Sequence, residues 1–129
     1  MHKIIILDDE KMMLSSLERR FKSESSVYQP VCFTSVKEAL AELELGACYA
    51  FVTDVKMPLL TGDQVVTYIS KKFPEQPCLV ITGQAEKVEI QRIVQAGNVR
   101  SILLKPLDFD KLVEALDNIN TVDEPSTDA

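Results

Sequence analysis

Phe51-Val52-Thr53-Asp54-Val55-Lys56-Met57-Pro58-Leu59-Leu60-Thr61-Gly62 is an apolar run that ends in one carboxylate and then turns, through a proline and a glycine, toward a helix. Such a run is the pattern of a buried strand delivering a single acid to the carboxyl edge of a parallel sheet, where open α/β folds keep their ligand sites. Taken alone, an Asp in this setting is more often a turn residue than a chemical one. Its meaning depends on what the rest of the chain brings to the same edge.

Working outward, four further short apolar runs read as strands: Lys3–Leu7, Val31–Phe33, Cys78–Ile81 and Ser101–Leu104, with the opening run itself covering Tyr49–Thr53. Each is too short for a buried helix and is followed by a segment with helical spacing. Leu14, Leu17 and Phe21 form one stripe, closed by the loop Ser23-Glu24-Ser25-Ser26. Ser35-Val36-Lys37-Glu38 is a capping box opening a helix with Val36, Ala39, Leu40 and Leu43 inward and Gly46 as its stop. After Pro58 and Gly62 a helix to about Lys72 turns Val65 or Val66, Ile69 and Phe73 inward, and Pro74 and Pro77 bracket the next turn. A helix over about 86–96 carries Ile90, Ile93 and Val94, and the last opens on Asp108 as N-cap and buries Phe109, Leu112, Val113 and Leu116. Strands alternating with helices at this rhythm predict an α/β fold, a parallel sheet covered on both faces with right-handed crossovers.

With 129 residues, 46% hydrophobic and 26% charged, the chain is expected to be one ordinary soluble domain. A net charge of −6 argues against a direct nucleic-acid or acidic-membrane binder and leaves room for a cation. Cys32, Cys48 and Cys78 are odd in number and widely spaced, so they read as small core hydrophobes in a reducing cytosol. His2 is the only histidine, which sets histidine acid–base chemistry aside. No signal-like opening and no apolar run of membrane-spanning length is present, so a cytoplasmic location is expected. A domain over 1–120 is expected, with the polar, acidic 121–129 as a disordered tail or the start of a linker to an output domain.

The chemistry lies just past each strand. Asp8, Asp9 and Glu10 follow the first, Asp54 the third, Thr82 the fourth and Lys105 the fifth. In a parallel sheet these ends share one edge, so acids, a hydroxyl and an ammonium converge. Two carboxylates about 4 Å apart repel by roughly 4 kcal/mol at an effective dielectric near 20. A cluster of them therefore calls for a divalent cation, and hard oxygen ligands suit magnesium, which completes its shell with phosphate. Thr82 and Lys105 are then suited to hold phosphoryl oxygens, and Asp54 to accept the phosphoryl group as an acyl phosphate. Each residue also has a plainer role: Asp8 and Asp9 as turn or N-cap residues, Thr82-Gly83 as a loop start, Lys105-Pro106 as an exit from the sheet. Singly those roles are the commoner ones; their agreement on one edge is not explained by them.

Asp8-Asp9, Asp54-x-x-Met57-Pro58-x-x-x-Gly62, Thr82-Gly83 and Lys105-Pro106 together resemble the receiver domain of two-component response regulators, the CheY-like superfamily, over residues 3 to 119. The resemblance implies a flavodoxin-like, doubly wound five-stranded parallel sheet, (βα)5, with strand order 2-1-3-4-5. It also implies magnesium held by Asp9, Asp54 and the Lys56 carbonyl, with Asp8 assisting through water. Asp54 would take a phosphoryl group from a histidine kinase or phosphotransfer protein, and Thr82 and Lys105 would engage its oxygens. The implied protein is a phosphorylation-activated switch, no enzyme beyond its own phosphorylation and dephosphorylation, acting on an output domain, a partner or a second copy.

Two departures stand out. Ile102 occupies the position three before the lysine where receivers usually carry Tyr or Phe, so transmission would rely on backbone and loop motion. The link from Gly97 to Lys105 is also one residue longer than usual, with Asn98-Val99-Arg100 placed before the strand, as in some receivers attached to cyclic-dinucleotide phosphodiesterase outputs. Lys56 and Gln84 sit where side chains tune the lifetime of an acyl phosphate. The alternatives are a magnesium-dependent phosphohydrolase with an aspartyl-phosphate intermediate and a flavodoxin-like cofactor binder. Lys56 stands where the hydrolase wants a second acid, and Asp8-Asp9 would repel the phosphate of a cofactor.

Overall fold

The computed structural model describes residues 1–24, 27–55, 62–83 and 98–119. Within them lie β1 (His2–Leu7), α1 (Lys11–Glu24), β2 (Tyr28–Phe33), α2 (Val36–Glu44), β3 (Cys48–Asp54), α3 (Gly62–Lys72), β4 (Cys78–Thr82), β5 (Val99–Leu104) and α4 (Phe109–Asp117). The strands form one sheet in the order β2-β1-β3-β4-β5, parallel throughout. This is the flavodoxin-like doubly wound sheet expected from the motifs. The helix expected over 86–96 lies outside the described residues.

Alternation along the strands sorts the core into two layers. Ile4, Ile6, Ala50, Val52, Leu79 and Ile81 pack against Leu14, Leu17 and Phe21 of α1 and Phe109, Leu112 and Leu116 of α4. Ile5, Leu7, Phe51, Val55 and Val80 pack against Ala39 and Leu43 of α2 and Val65, Val66 and Ile69 of α3. The central strands are therefore apolar on both faces, which is why they read as unbroken runs rather than alternating ones.

Three boundaries differ from the sequence reading by two residues or more. β2 starts at Tyr28, not Val31, although Pro30 lies inside it, in register with Ile4. The carbonyls of Val27 and Phe33 accept from His2 and Asp8, so odd-numbered residues of β2 face β1 and Pro30 turns its ring nitrogen to the open edge. α1 runs through Ser23, expected in a loop, to Glu24. The Ser23 hydroxyl donates to the Arg20 carbonyl at 3.4 Å, and Arg20 pairs with Glu24 at 2.7 Å, which holds the last turn. β5 begins at Val99. Cys78 is in register with Val99 and Leu79 with Ser101, so Arg100 is the extra residue, absorbed as a bulge inside the strand rather than placed before it.

The caps follow the sequence. Ser35 accepts from the Glu38 amide, and Asp108 from the amides of Asp110 and Lys111. Gly46 takes φ +86° just past the α2 C-cap, a conformation open to glycine at little cost.

Candidate functional site

Registers set the site. Leu7 is level with Thr53, Asp54 with Ile81, and Thr82 with Leu104. Asp8, Asp54, Thr82 and Lys105 therefore arrive at one edge, as the strand ends predicted. Carboxylate oxygens of Asp8, Asp9 and Asp54 all lie within 4.8 Å of one another. Lys105 reaches across from β5 to place Nζ 2.8 Å from Asp54 Oδ2. Its backbone amide donates to the Thr82 carbonyl at 2.9 Å, which ties the ends of β4 and β5 together. The Lys105–Pro106 peptide is cis.

Burial divides the acids in a way the sequence did not show. Asp8 is fully buried and Asp54 almost so, whereas Asp9 is exposed. Asp8 Oδ1 accepts from the Glu10 amide at 2.8 Å, a local turn that launches α1. Asp8 Oδ2 is buried without a hydrogen-bond partner, and so is Thr82 Oγ1. Orphaned buried polar atoms are costly, and two of them at one strand edge are what a site leaves when it is built to receive something polar.

Burial pushes the Asp8 carboxyl up to about 6; the Glu10 amide opposes it, the charge of Asp54 adds to it, Lys105 opposes it, and Asp9 adds a little more. Burial works against the Lys105 ammonium, but its hydrogen bond and charge contact with Asp54, with Asp8 and Glu10 beyond, outweigh it and hold its pKa above the ordinary lysine value. The acids are thus crowded past what one lysine neutralises. That surplus, with an all-oxygen donor set and an unpartnered Asp8 oxygen, fits a hard divalent cation. Lys56, whose carbonyl the resemblance adds to the metal set, lies outside the described residues, as does Gln84.

The family model described as the response regulator receiver domain matches residues 4–117. The chain belongs to that family. As a receiver domain it is 30% identical over 125 residues to the transcriptional regulatory protein GlrR of Escherichia coli (strain K12), covering 97% of this chain and 28% of GlrR. Among solved structures it is similar to a CheY-like response regulator receiver domain protein from Methanospirillum hungatei JF-1, with a TM-score of 0.82, 22% identity and 91% of each chain covered. The beryllofluoride-activated NtrC4 receiver domain dimer matches with a TM-score of 0.79 and 24% identity, covering 91% of this chain and 94% of that one. These structures show the fold. The receiver spans about a quarter to a half of the length of the curated relatives it matches. Phosphorylation and magnesium binding are typical of the family, and the phosphohydrolase alternative is not favoured. Among the described residues no helix is long and apolar enough to cross a membrane.

Proposed function

We propose that this receiver is a magnesium-dependent switch that accepts a phosphoryl group on Asp54 from a histidine kinase or histidine phosphotransfer protein. A carboxylate oxygen of Asp54 forms the O–P bond as the donor's N–P bond breaks, and the imidazole leaves with the electron pair. Asp9, Asp54 and the Lys56 carbonyl would hold the magnesium, with Asp8 assisting through water, and the bound ion would supply charge to offset that of the phosphoryl oxygens. Lys105 exchanges its contact with Asp54 for one with a phosphoryl oxygen, and the Thr82 hydroxyl turns to another. The single observation that supports this most is the pair of orphaned atoms, Asp8 Oδ2 and Thr82 Oγ1, at the edge where Lys105 holds Asp54.

Phosphorylation adds about −1.5 to −2 charges. Ile102 is partly buried against the α2–α3 layer, level with Val80, so it carries the signal by no swing of an aromatic ring. The Lys105 amide to Thr82 carbonyl bond supports a backbone route instead, since it joins the two residues that read the phosphate. A groove of about 330 Å³ beside the site, lined by Glu10, Met13, Leu17, Arg20, Pro106 and Phe109 among others, supports docking of the phosphodonor there. The domain covers 1–120 and acts in the cytoplasm, 121–129 are a tail or the start of a linker, and an output domain, a partner protein or a second copy receives the signal, as the NtrC4 dimer illustrates for a related fold. Beyond its own phosphorylation and dephosphorylation, with Lys56 and Gln84 setting the lifetime, it turns over no substrate.

Incubation with magnesium and acetyl phosphate, followed by intact mass, tests this. One phosphoryl adduct, absent without magnesium and absent in Asp54→Asn, is expected. Turnover of many phosphomonoesters would instead establish a hydrolase, and no adduct under any condition would reject the switch.

A further inference from the structure

β3 carries an irregularity near its start. Lys3 of β1 is level with Cys48 and Ile4 with Ala50, so Tyr49 is an extra residue with no counterpart in the β1 register. The effect shows in the packing. In a regular strand Tyr49 would share a face with Phe51, against α2 and α3. Instead Cys48 packs against that layer, and Tyr49 joins Ala50 and Val52 against α1 and α4. There its hydroxyl donates to the Leu116 carbonyl, in the last turn of α4, at 2.8 Å. That carbonyl also takes the Ile119 amide at 3.3 Å, so the tyrosine supplies the shorter of two bonds.

Tyr28, the first residue of β2, reaches the next position along the helix: its hydroxyl donates to Asp117 Oδ1 at 2.5 Å. Asp117 is an acid at the carbonyl end of a helix whose last turn has no basic residue, where the helix dipole disfavours its charge. Burial, and then the hydrogen bond and charge of Asp117, hold the Tyr28 hydroxyl above the ordinary tyrosine value, so it stays a donor. The two tyrosine rings lie 5.7 Å apart, and His2 of β1 stacks on Tyr49 at 4.3 Å. The starts of three strands thus converge on one end of α4. The other end is held differently. It begins at Phe109, four residues after Lys105, and the N-cap bonds of Asp108 stay within the helix. Phe109 meets the Phe21 ring at 4.8 Å and the Arg20 guanidinium at 4.4 Å, contacts without a hydrogen bond's direction. At 1.5 Å per residue the two ends lie about 13 Å apart. We infer that Tyr28 and Tyr49 anchor the last turn of α4 to the base of the sheet. A pull at Lys105 then moves the first turn of α4 and leaves in place the end from which the chain continues. The anchor belongs to the unmodified fold; the pull at Lys105 rests on the function proposed above.

Tyr28→Phe combined with Tyr49→Phe keeps both rings and removes both hydroxyls, with unchanged circular dichroism establishing that the variant folds. Native-state amide exchange, read by NMR, should run about three- to tenfold faster at Asn118 and Ile119 than in wild type, and within about twofold of it at Leu112 and Val113. A general loss of stability would speed all four alike. With magnesium and acetyl phosphate, the Leu107 and Phe109 amide shifts should move in both proteins, and those of Asn118 and Ile119 only in the double variant. Exchange at Asn118 and Ile119 that is unchanged, or raised no more than at Leu112 and Val113, would overturn the inference. So would a phosphorylated wild type whose Asn118 and Ile119 amides shift as far as those of Leu107 and Phe109. A wild type that takes no phosphoryl group rejects the proposed function instead, and the exchange rates then decide the anchor.

Discussion

Asp8→Asn should make the metal-free protein more stable, and by an amount the structure sets. Asp8 is fully buried, its pKa is raised from 3.8 to about 6, and Oδ2 has no partner. A shift of about two units corresponds to about 3 kcal/mol at 1.36 kcal/mol per unit. The sign follows from proton counts. Between pH 4 and 6 the folded protein holds a proton on Asp8 that the unfolded chain has released, so stability falls as pH rises through that window. Above about pH 7 the whole penalty is in force. Asparagine retains the oxygen that accepts from the Glu10 amide and replaces the orphaned oxygen with an amide donor beside Asp54 and Asp9.

Urea unfolding in a chelator, at pH 4, 5, 6 and 7.5, measures the difference between Asp8→Asn and wild type. The variant should be more stable by about 2–3 kcal/mol at pH 7.5, roughly 5–10 °C in Tm for a domain of this size, and nearly equal at pH 4. Magnesium should raise wild-type stability by mass action and do much less for the variant, which lacks the carboxylate proposed to assist through water. An Asp8→Asn protein less stable than wild type at pH 7.5, or a gap that does not change with pH, would refute the account of a site held under electrostatic strain.

Lys105→Met removes the cation 2.8 Å from a buried Asp54, and with the lysine side chain about a third exposed (32%) the cost belongs at the low end for breaking such a pair, about 2–3 kcal/mol in chelator at pH 7.5. In the Asp8→Asn background the same change should cost visibly less, since Asp54 then faces one fewer charge; strict additivity in a double-mutant cycle would contradict the coupling. Asp108→Ala strips the N-cap from α4, where one carboxylate oxygen serves the Asp110 and Lys111 amides at 2.9 and 3.4 Å, and should cost about 1 kcal/mol in urea unfolding. Cys78 is fully buried, with its thiol pushed up to about 12 by burial and by Cys48. It should resist iodoacetamide in the native protein at pH 8, labelling only as fast as the chain opens; native labelling within minutes would show the β4 base to be exposed.

How far the site could be read without coordinates follows from where its parts lie. Asp8, Asp54, Thr82 and Lys105 each end an apolar run, and a parallel sheet places run ends on one edge whatever the side chains do next. Sequence reasoning therefore foresaw that these side chains converge. It was weak on what each member experiences. Asp8 and Asp9 are neighbours of identical chemistry, yet one is buried and the other exposed. β1 alternates between the two core layers, and its next position, Asp8, is still covered, whereas Asp9 has left the strand. β2 and β5 were read short for a related reason: Pro30 is excluded from central strands but not from an edge, and Arg100 enters β5 only as a bulge. Propensity cannot see an edge or a bulge before the sheet is assembled.

Lys105 draws on the Asp54 carboxylate, and its own amide is tied to the Thr82 carbonyl. On the function proposed above, a phosphoryl group on Asp54 would take Lys105 from that contact and load the β4–β5 edge through the same amide. In a receiver with Ile102 where an aromatic reporter usually stands, the backbone of that edge is the route such a switch would need.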